Sequence, residues 1–191
     1  MHEKYFLYVG RVHPKKAIEN LIIALYNNMA FLNSGFILKI AGDCDNNYGR
    51  MLKCLANNLN LSNKVIFLGY IESKKKQILY ANAYFTFMPS HTENFGNIVI
   101  ESLAQGTPVV AAKGTPWEIL EKKEAGFWVD NSPESLSKTI NHILSLHDSA
   151  YNSLKENAEK FVREYDISEN IEKWTNVYNL KILKNDDKKY N

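Results

Sequence analysis

Short apolar segments alternate with amphipathic stretches along most of the chain. Six of the apolar segments have the length of a strand: Tyr5–Val9, Phe36–Ala41, Val65–Leu68, Tyr84–Met88, Val109–Ala112 and Phe127–Val129. Several of them are apolar at consecutive positions, which is typical of strands that are buried on both faces. The pattern therefore predicts a Rossmann-like α/β fold, in which helices cover both faces of a parallel sheet.

Helical spacing of apolar residues fills most of the segments between these strands. After the first strand it predicts a helix from about Ala17, and the residues of its apolar face are Ile18, Leu21, Ile22, Leu25 and Met29. Further helices are predicted around residues 51–59, from an N-cap at Ser73 to about Ala83, from about Gly96 to Gln105, near Trp117, and from Ser132-Pro133 to about His147.

The C-terminal part of the chain is also predicted to be helical. It contains the apolar residues Leu154, Phe161, Ile171 and Trp174, with a break near Tyr165. Residues 184–191 are polar, and we expect them to form a frayed tail. The sequence thus predicts one domain over residues 1–183.

Composition narrows the classes of function. Apolar residues make up 45% of the chain and charged residues 23%, as in ordinary folded proteins. The net charge of +2 is too small to indicate nucleic acid as the main partner.

Cys44 and Cys54 lack the spacing of a metal site, so no metal is predicted. The chain has no apolar run near the ~20 residues that span a bilayer and no secretory signal at its N-terminus, which predicts a cytoplasmic location.

The loop after the first strand carries candidate chemistry, because ligands of parallel α/β sheets bind beyond the carboxyl ends of the strands. This loop, GRVHPKKA, places the cations Arg11, Lys15 and Lys16 just before a helix. Free N–H groups and the positive dipole end at a helix start favour an anion there. The glycine fingerprint of dinucleotide-binding proteins and the G-K-[ST] ending of a Walker loop are both missing. These cations favour an anion site, although for this loop taken alone a solvated basic loop is the better interpretation.

The segment PSHTENFGNIVIES after the fourth strand supplies acceptors. Glu93 lies in the loop and Glu101 in the helix that follows, with Gly96 between them, where the backbone can approach a ligand closely. Carboxylates accept hydrogen bonds from sugar hydroxyls. Together with the basic loop, they favour an elongated ligand with an anionic middle and hydroxyl-rich ends, such as a sugar joined through a diphosphate to a nucleoside. For either glutamate alone the ordinary interpretation is the better one, with Glu93 as a charge at a helix terminus and Glu101 as an exposed helix residue.

These segments resemble one known family. The spacing Glu93-x7-Glu101, followed by SLAQGTPVVAAKGTP, resembles the C-terminal domain of family 4 retaining glycosyltransferases of the GT-B fold. YVGRVHPKKAIENLIIAL is similar to the G-R-x-x-x-x-K-G segment of that family, and LKIAGD and VIFLGYI are similar to its next two strand ends. The resemblance runs from about residue 5 to residue 145. It implies one half of a GT-B enzyme that binds a UDP-, GDP- or ADP-sugar without a metal.

The resemblance also implies roles for individual residues. Arg11 and Lys16 would neutralise the donor diphosphate, and Glu93 would lie against the donor sugar; these three form the predicted catalytic set. Glu101 would hold the ribose. The full set expected to bind the donor is Arg11, Lys16, Tyr70, Ile71, Glu93, Asn94, Phe95, Gly96 and Glu101. In this set the backbone near Tyr70 meets the base, and the loop that contains Phe95 meets the sugar and phosphate.

GT-B enzymes have a second, N-terminal domain that binds the acceptor. The resemblance covers only the donor domain, so it implies a partner acceptor domain, in the same polypeptide or as a separate chain, and no transfer without it. It favours a role in bacterial surface polysaccharide or lipopolysaccharide assembly, with peripheral association at the inner face of the membrane through the acceptor half.

Some features depart from the family or stay open. Ala17 stands where the family usually has glycine, and KGTPWEIL replaces its common G-G-x-P-E. Trp117 lines the sugar pocket or anchors a short helix, and the run Lys74-Lys75-Lys76 is expected to be a solvated helix face.

Two other classes of protein compete with this interpretation. One is a non-catalytic flavodoxin-like regulatory or ligand-binding domain; receiver domains, however, need paired acids where this chain has Arg11 and Lys16. The other is a nicotinamide-dependent oxidoreductase, which the missing glycine fingerprint disfavours.

Overall fold

The sheet has six parallel strands. The computed structural model describes residues 4–165. The strands are β1 (Tyr5–Val9), β2 (Ile37–Ala41), β3 (Val65–Gly69), β4 (Phe85–Met88), β5 (Val109–Ala112) and β6 (Gly126–Val129). Their order in the sheet is β3-β2-β1-β4-β5-β6, and every neighbouring pair is parallel. The predicted α/β class is confirmed, and each predicted strand is present with its ends within one residue.

Helices connect the strands, as parallel pairing requires. They are α1 (Ile18–Tyr26), α2 (Met29–Leu32), α3 (Asn47–Asn58), α4 (Ser73–Asn82), α5 (Asn97–Leu103), α6 (Ile119–Lys122), α7 (Pro133–Leu144) and α8 (Asp148–Val162). Two 3₁₀ turns, Pro14–Lys16 and Arg163–Tyr165, precede α1 and follow α8. Within the part of the chain that the structure describes, no helix has both the length and the apolar character needed to cross a membrane.

Both faces of the sheet are covered, which explains the continuous apolar character of the strands. In β1, Phe6 and Tyr8 point to one face, where α1, α3 and α7 contribute core residues together with the neighbouring strands. Leu7 and Val9 point to the opposite face and pack with Tyr80 of α4. Because neighbouring residues of a strand face opposite sides, burial on both faces requires apolar residues at consecutive positions.

The helix predicted after β1 is in fact two helices. Met29 was expected on the buried face of α1, but α1 ends at Tyr26 and Met29 is 67% exposed. The buried residue Asn28 causes the break, because its Oδ1 accepts a hydrogen bond from the amide of Phe31 at 2.8 Å and caps α2. Asparagine is among the favoured N-cap residues because its side chain satisfies such a free amide.

Two other helix boundaries differ from the prediction. Glu72 rather than Ser73 is the N-cap of α4, and no side chain caps this helix. The helix that begins at Pro133 was expected to reach His147, but it ends at Leu144, and His147 is the N-cap of α8. The start of that helix is confirmed, since the Oγ of Ser132 accepts a hydrogen bond from the amide of Ser135 at 3.3 Å. The predicted helix around Ile171 and Trp174 and the tail 184–191 lie outside the described residues.

Candidate active site

The candidate site lies where the order of the strands reverses. β1 and β4 are neighbours, and the chain winds from β1 towards β3 on one side and from β4 towards β6 on the other. In such sheets the loops after the two central strands separate and leave a crevice for a ligand. The loops that follow β1 and β4 are those that carry the predicted cations and acids. They are tied together by a hydrogen bond from the amide of His91 to the carbonyl of Lys15 at 2.9 Å.

The crevice has two adjoining compartments. The first, of about 570 Å³, lies between the loops after β1 and β4. The predicted site residues that line it are Arg11, Lys16, Glu93, Asn94, Phe95 and Gly96. The second, of about 460 Å³, lies beside the ends of β2 and β3, and Tyr70 and Ile71 line it. Arg11 and His13 border both compartments, so the space suits an elongated ligand with Arg11 near its middle.

Lys16 and Glu93 form a direct ion pair in the first compartment. Their side chains are only 18% and 15% exposed, so water screens the pair weakly. The Oγ of Ser90 donates to the same carboxylate oxygen at 2.8 Å, and the amide of Glu93 donates to the carbonyl of Gly114 at 3.3 Å. The carboxylate of Glu93 partly neutralises the charge of Lys16, whose other two N–H groups can still donate to an incoming phosphate. The sequence placed both residues in the site but did not predict their contact.

Glu101, the predicted ribose-binding residue, lines neither compartment and instead borders a separate hollow. Its Oε1 accepts from the Nζ of Lys76 at 2.8 Å, and its Oε2 accepts from the hydroxyl of Tyr80 at 2.9 Å. The three side chains border a hollow of about 400 Å³, and Lys76 also lines the second compartment. The expectation that Lys74-Lys75-Lys76 forms one solvated face is wrong at Lys76, which turns towards Glu101. Lys76 and Tyr80 are four residues apart on one helix, and this spacing could have indicated that the two side chains share a face.

Tyr8 is a positioning residue that the sequence did not reveal. Its ring is buried in the sheet, and its hydroxyl donates to the carbonyl of Arg11 at 2.8 Å at the edge of the first compartment. Burial raises the pKa of the Tyr8 phenol, so the group stays a neutral donor. The hydrogen bond from Tyr8 therefore fixes the backbone of Arg11, while the side chain of Arg11 is exposed.

The glycine before α5 and the alanine before α1 both have left-handed backbones. Gly96 has φ of 84°, and a Cβ there would lie 2.7 Å from the Sδ of Met88. Ala17 has φ of 47° and ψ of 41°. The family's usual glycine adopts this conformation at little cost, whereas alanine is less favourable there. Alanine at position 17 thus begins α1 in a backbone conformation that is less favourable for alanine than for glycine.

Trp117 anchors the loop after β4. Its side chain is 1% exposed, and its Nε1 donates a hydrogen bond to the carbonyl of Phe95. The two rings also pack, with centroids 5.0 Å apart. Trp117 is not among the residues that line either compartment, and the segment that these contacts anchor is the loop after β4 rather than the short helix. Among residues 4–165, no three His, Cys, Asp or Glu side chains are grouped so that they could hold a metal ion.

Comparison with known proteins identifies the family. The model of glycosyl transferases group 1 matches residues 1–161. The uncharacterized glycosyltransferase MJ1607 of Methanocaldococcus jannaschii is 34% identical over 182 residues, which are 93% of this chain and 45% of that protein. The O-antigen chain mannosyltransferase RfbU of Salmonella typhimurium is 34% identical over 110 residues, which are 58% of this chain and 30% of RfbU.

A solved structure has the same fold. The crystal structure of HepE from Anabaena in complex with UDP-glucose aligns with a TM-score of 0.74 at 25% identity, over 85% of this chain and 44% of that one. The chain thus spans less than half the length of each of these three proteins. With a family match over most of its length and the six-stranded parallel sheet of a GT-B glycosyltransferase domain, this chain belongs to the glycosyl transferases group 1 family.

Proposed function

We propose that this chain is the donor-binding half of a retaining glycosyltransferase, which transfers a hexose from a nucleoside diphosphate sugar to a saccharide or lipid-linked acceptor. The observation that carries the proposal is the position of Arg11 where the two compartments meet, with Lys16 and Glu93 in one and Tyr70 in the other. A diphosphate at Arg11 would direct its sugar into the first compartment and its nucleoside into the second.

The proposed chemistry is mainly electrostatic. Transfer breaks the bond between the anomeric carbon of the sugar and a phosphate oxygen and leaves both electrons on the diphosphate. The acceptor oxygen forms the new bond to the anomeric carbon, and its proton passes to the departing diphosphate. The guanidinium of Arg11 and the ammonium of Lys16 would stabilise the charge on the departing diphosphate. Because these two side chains already supply positive charge beside the proposed diphosphate, we propose that transfer needs no metal. Glu93, held by Lys16 and Ser90, would accept hydrogen bonds from the sugar hydroxyls.

The relatives support two finer proposals. HepE binds UDP-glucose in its crystal structure, which supports a nucleotide sugar as the donor here. RfbU is an O-antigen chain mannosyltransferase, which supports a role in lipopolysaccharide or other surface polysaccharide assembly. We further propose a cytoplasmic enzyme that meets the inner face of the membrane through its acceptor half.

Calorimetric titration of the purified chain with UDP, GDP, ADP and NAD tests the class of ligand. We expect a nucleoside diphosphate to bind and NAD not to bind. Preference for NAD would indicate an oxidoreductase, and failure of all four ligands to bind would favour the non-catalytic flavodoxin-like domain.

Removal of either cation should weaken binding of a nucleoside diphosphate about tenfold or more, because a hydrogen bond to a charged group contributes roughly 1.5–3 kcal/mol. The variants are Arg11→Ala and Lys16→Ala, measured by calorimetry on folded protein. Lys138→Ala is the matched control, since it removes an exposed lysine of α7 outside both compartments. Unchanged affinity in both site variants would remove these residues from the site.

The two glutamates should affect different parts of the donor. Glu101→Ala is expected to weaken binding of the nucleoside diphosphate and of the nucleotide sugar alike, because both contain the nucleoside and Glu101 fixes Lys76, which lines the proposed nucleoside compartment. Glu93→Ala is expected to weaken only the binding of the nucleotide sugar, by about tenfold. Free diphosphate should bind this variant at least as well, because Lys16 no longer pairs with a carboxylate. Calorimetry with both ligands measures the contrast, and the reverse pattern would contradict these roles.

A further inference from the structure

Lys76 occupies a fixed position in the wall of the second compartment. Its Nζ lies 2.8 Å from the Oε1 of Glu101, and the two side chains are 28% and 36% exposed. The other carboxylate oxygen, Oε2, accepts from the hydroxyl of Tyr80, which is buried. Burial and the neighbouring carboxylate raise the pKa of this phenol, so it stays a donor. Glu101 is therefore held at both oxygens, and in turn it holds the ammonium of Lys76.

The ammonium of Lys76 has N–H groups left over that can donate hydrogen bonds to a ligand. A lysine ammonium has three N–H donors and no acceptor. In the described part of the chain, Glu101 is the one protein group that accepts a hydrogen bond from it. Lys76 belongs to the lining of the second compartment together with Tyr70, Ile71 and Ser73, where the nucleoside is proposed to lie. A ligand in that compartment therefore meets a cationic donor on the side of α4.

The nucleobases respond differently to such a donor. Guanine presents the carbonyl acceptor O6 and thymine presents O4, which uracil shares, whereas adenine and cytosine present amino donors at the equivalent edge. A carbonyl of the base can accept a hydrogen bond from an ammonium. An amino group of the base cannot, because both groups are then donors that face each other. Rejection of a base that leaves a polar group unpaired is a strong source of specificity.

We propose that Lys76 determines the base of the donor. It selects a nucleotide sugar whose base has a carbonyl at C4 of a pyrimidine or C6 of a purine, as in uracil and guanine, over one with an amino group at that position, as in cytosine and adenine. The inference rests on the proposed function, because it assigns the base to the second compartment. Tyr80 and Glu101 act as positioning residues for the ammonium.

Calorimetric affinities for UDP, GDP, ADP and CDP test the proposal on the full chain. For the natural chain we expect UDP or GDP to bind about tenfold or more tightly than ADP and CDP. Lys76→Met should abolish this preference, and Lys76→Arg, which keeps a cationic donor, should retain it. Lys75→Met is the matched control, since it removes an exposed lysine from the same helix. Thermal unfolding of each variant confirms that it is folded.

The ratio of affinities isolates the base from the rest of the ligand. All four ligands share the ribose and the diphosphate, so any disturbance of Glu101 by Lys76→Met affects them equally and cancels. A uniform loss across the four ligands would overturn the inference, because Lys76 would then act on the phosphate or the ribose. Preference of the natural chain for ADP or CDP would also overturn it. Failure of all four to bind would instead refute the proposed function.

Discussion

A polypeptide of these 191 residues is expected to bind its nucleotide sugar and to transfer no sugar above background. The compartments are formed by loops proposed to contact only the donor, and they are open to solvent; Tyr70 at the base end is 80% exposed. Catalysis requires the donor and acceptor to be held together in a site that excludes water, and positioning alone accounts for roughly 7–11 kcal/mol of the barrier in well-oriented reactions. An open donor site lacks this contribution.

The assay measures transfer from labelled nucleotide sugars to a panel of lipid-linked and saccharide acceptors. Calorimetry on the same preparation confirms that the donor binds. Addition of an acceptor-binding half, fused or as a separate chain, should restore transfer, and a chelator should not reduce the restored rate if Arg11 and Lys16 replace a metal. Robust turnover by these residues alone would show that they also bind the acceptor, and would sink the half-enzyme interpretation.

Strand positions and the location of the site could be predicted from the sequence because they depend on local pattern and chain direction. Consecutive apolar residues predict β1 and β5 to the residue. The observed strand order makes the loops after β1 and β4 neighbours. Parallel strands alone already place both loops, and with them Arg11 and Glu93, at the same edge of the sheet. This requires no knowledge of side-chain packing.

The side-chain pairs within the site could not be predicted in this way. Lys16 and Glu93 are 77 residues apart, and Lys76 and Glu101 are 25 apart. Which charged groups face each other depends on the rotation of α4 against α5 and on loop conformation, which neither periodicity nor composition determines. The same holds for Tyr8, whose hydroxyl reaches the Arg11 carbonyl only because the loop folds back over the end of β1.

The early end of α1 shows a different limit. Apolar spacing continues through Met29, so periodicity alone extends the helix. A competing local signal, the capping preference of Asn28, ends it. The buried amide of Asn28 also donates to the carbonyl of Ser137 in α7 at 2.9 Å, a contact between residues 109 apart. Local capping and this distant contact together prevail over the periodic pattern.

Substitution of Gly114 should have the second large effect, although this residue lies outside the predicted site. It follows β5 and packs against the loop that carries Glu93. A Cβ at position 114 would lie 1.8 Å from the carbonyl oxygen of His91, which is a backbone atom that no side-chain rotation can remove. Gly114→Ala must therefore displace the loop after β4 and, with it, the hydrogen bond from the amide of Glu93 to the carbonyl of residue 114.

Two measurements follow for Gly114→Ala. A misplacement of about 1 Å in a catalytic group can lower a rate on the order of a hundredfold, so kcat/KM of the enzyme assembled with its acceptor half should fall by about that factor. Overpacking of this kind also destabilises the fold by about 1–3 kcal/mol, which thermal unfolding measures. Kinetics are therefore recorded at a temperature where the variant is folded.

Gly35→Ala is the matched control for this prediction. A Cβ at Gly35 meets nothing within 4 Å, so the same added methyl group should leave kcat/KM unchanged and the stability equal or slightly higher. Ser90→Ala tests the loop without a clash, because it removes only the hydrogen bond to the carboxylate of Glu93, and it should lower kcat/KM less than Gly114→Ala does. If Gly114→Ala keeps full activity while Ser90→Ala loses it, the backbone contact with His91 does not set the position of Glu93. If neither variant loses activity, the loop after β4 does not position the donor sugar.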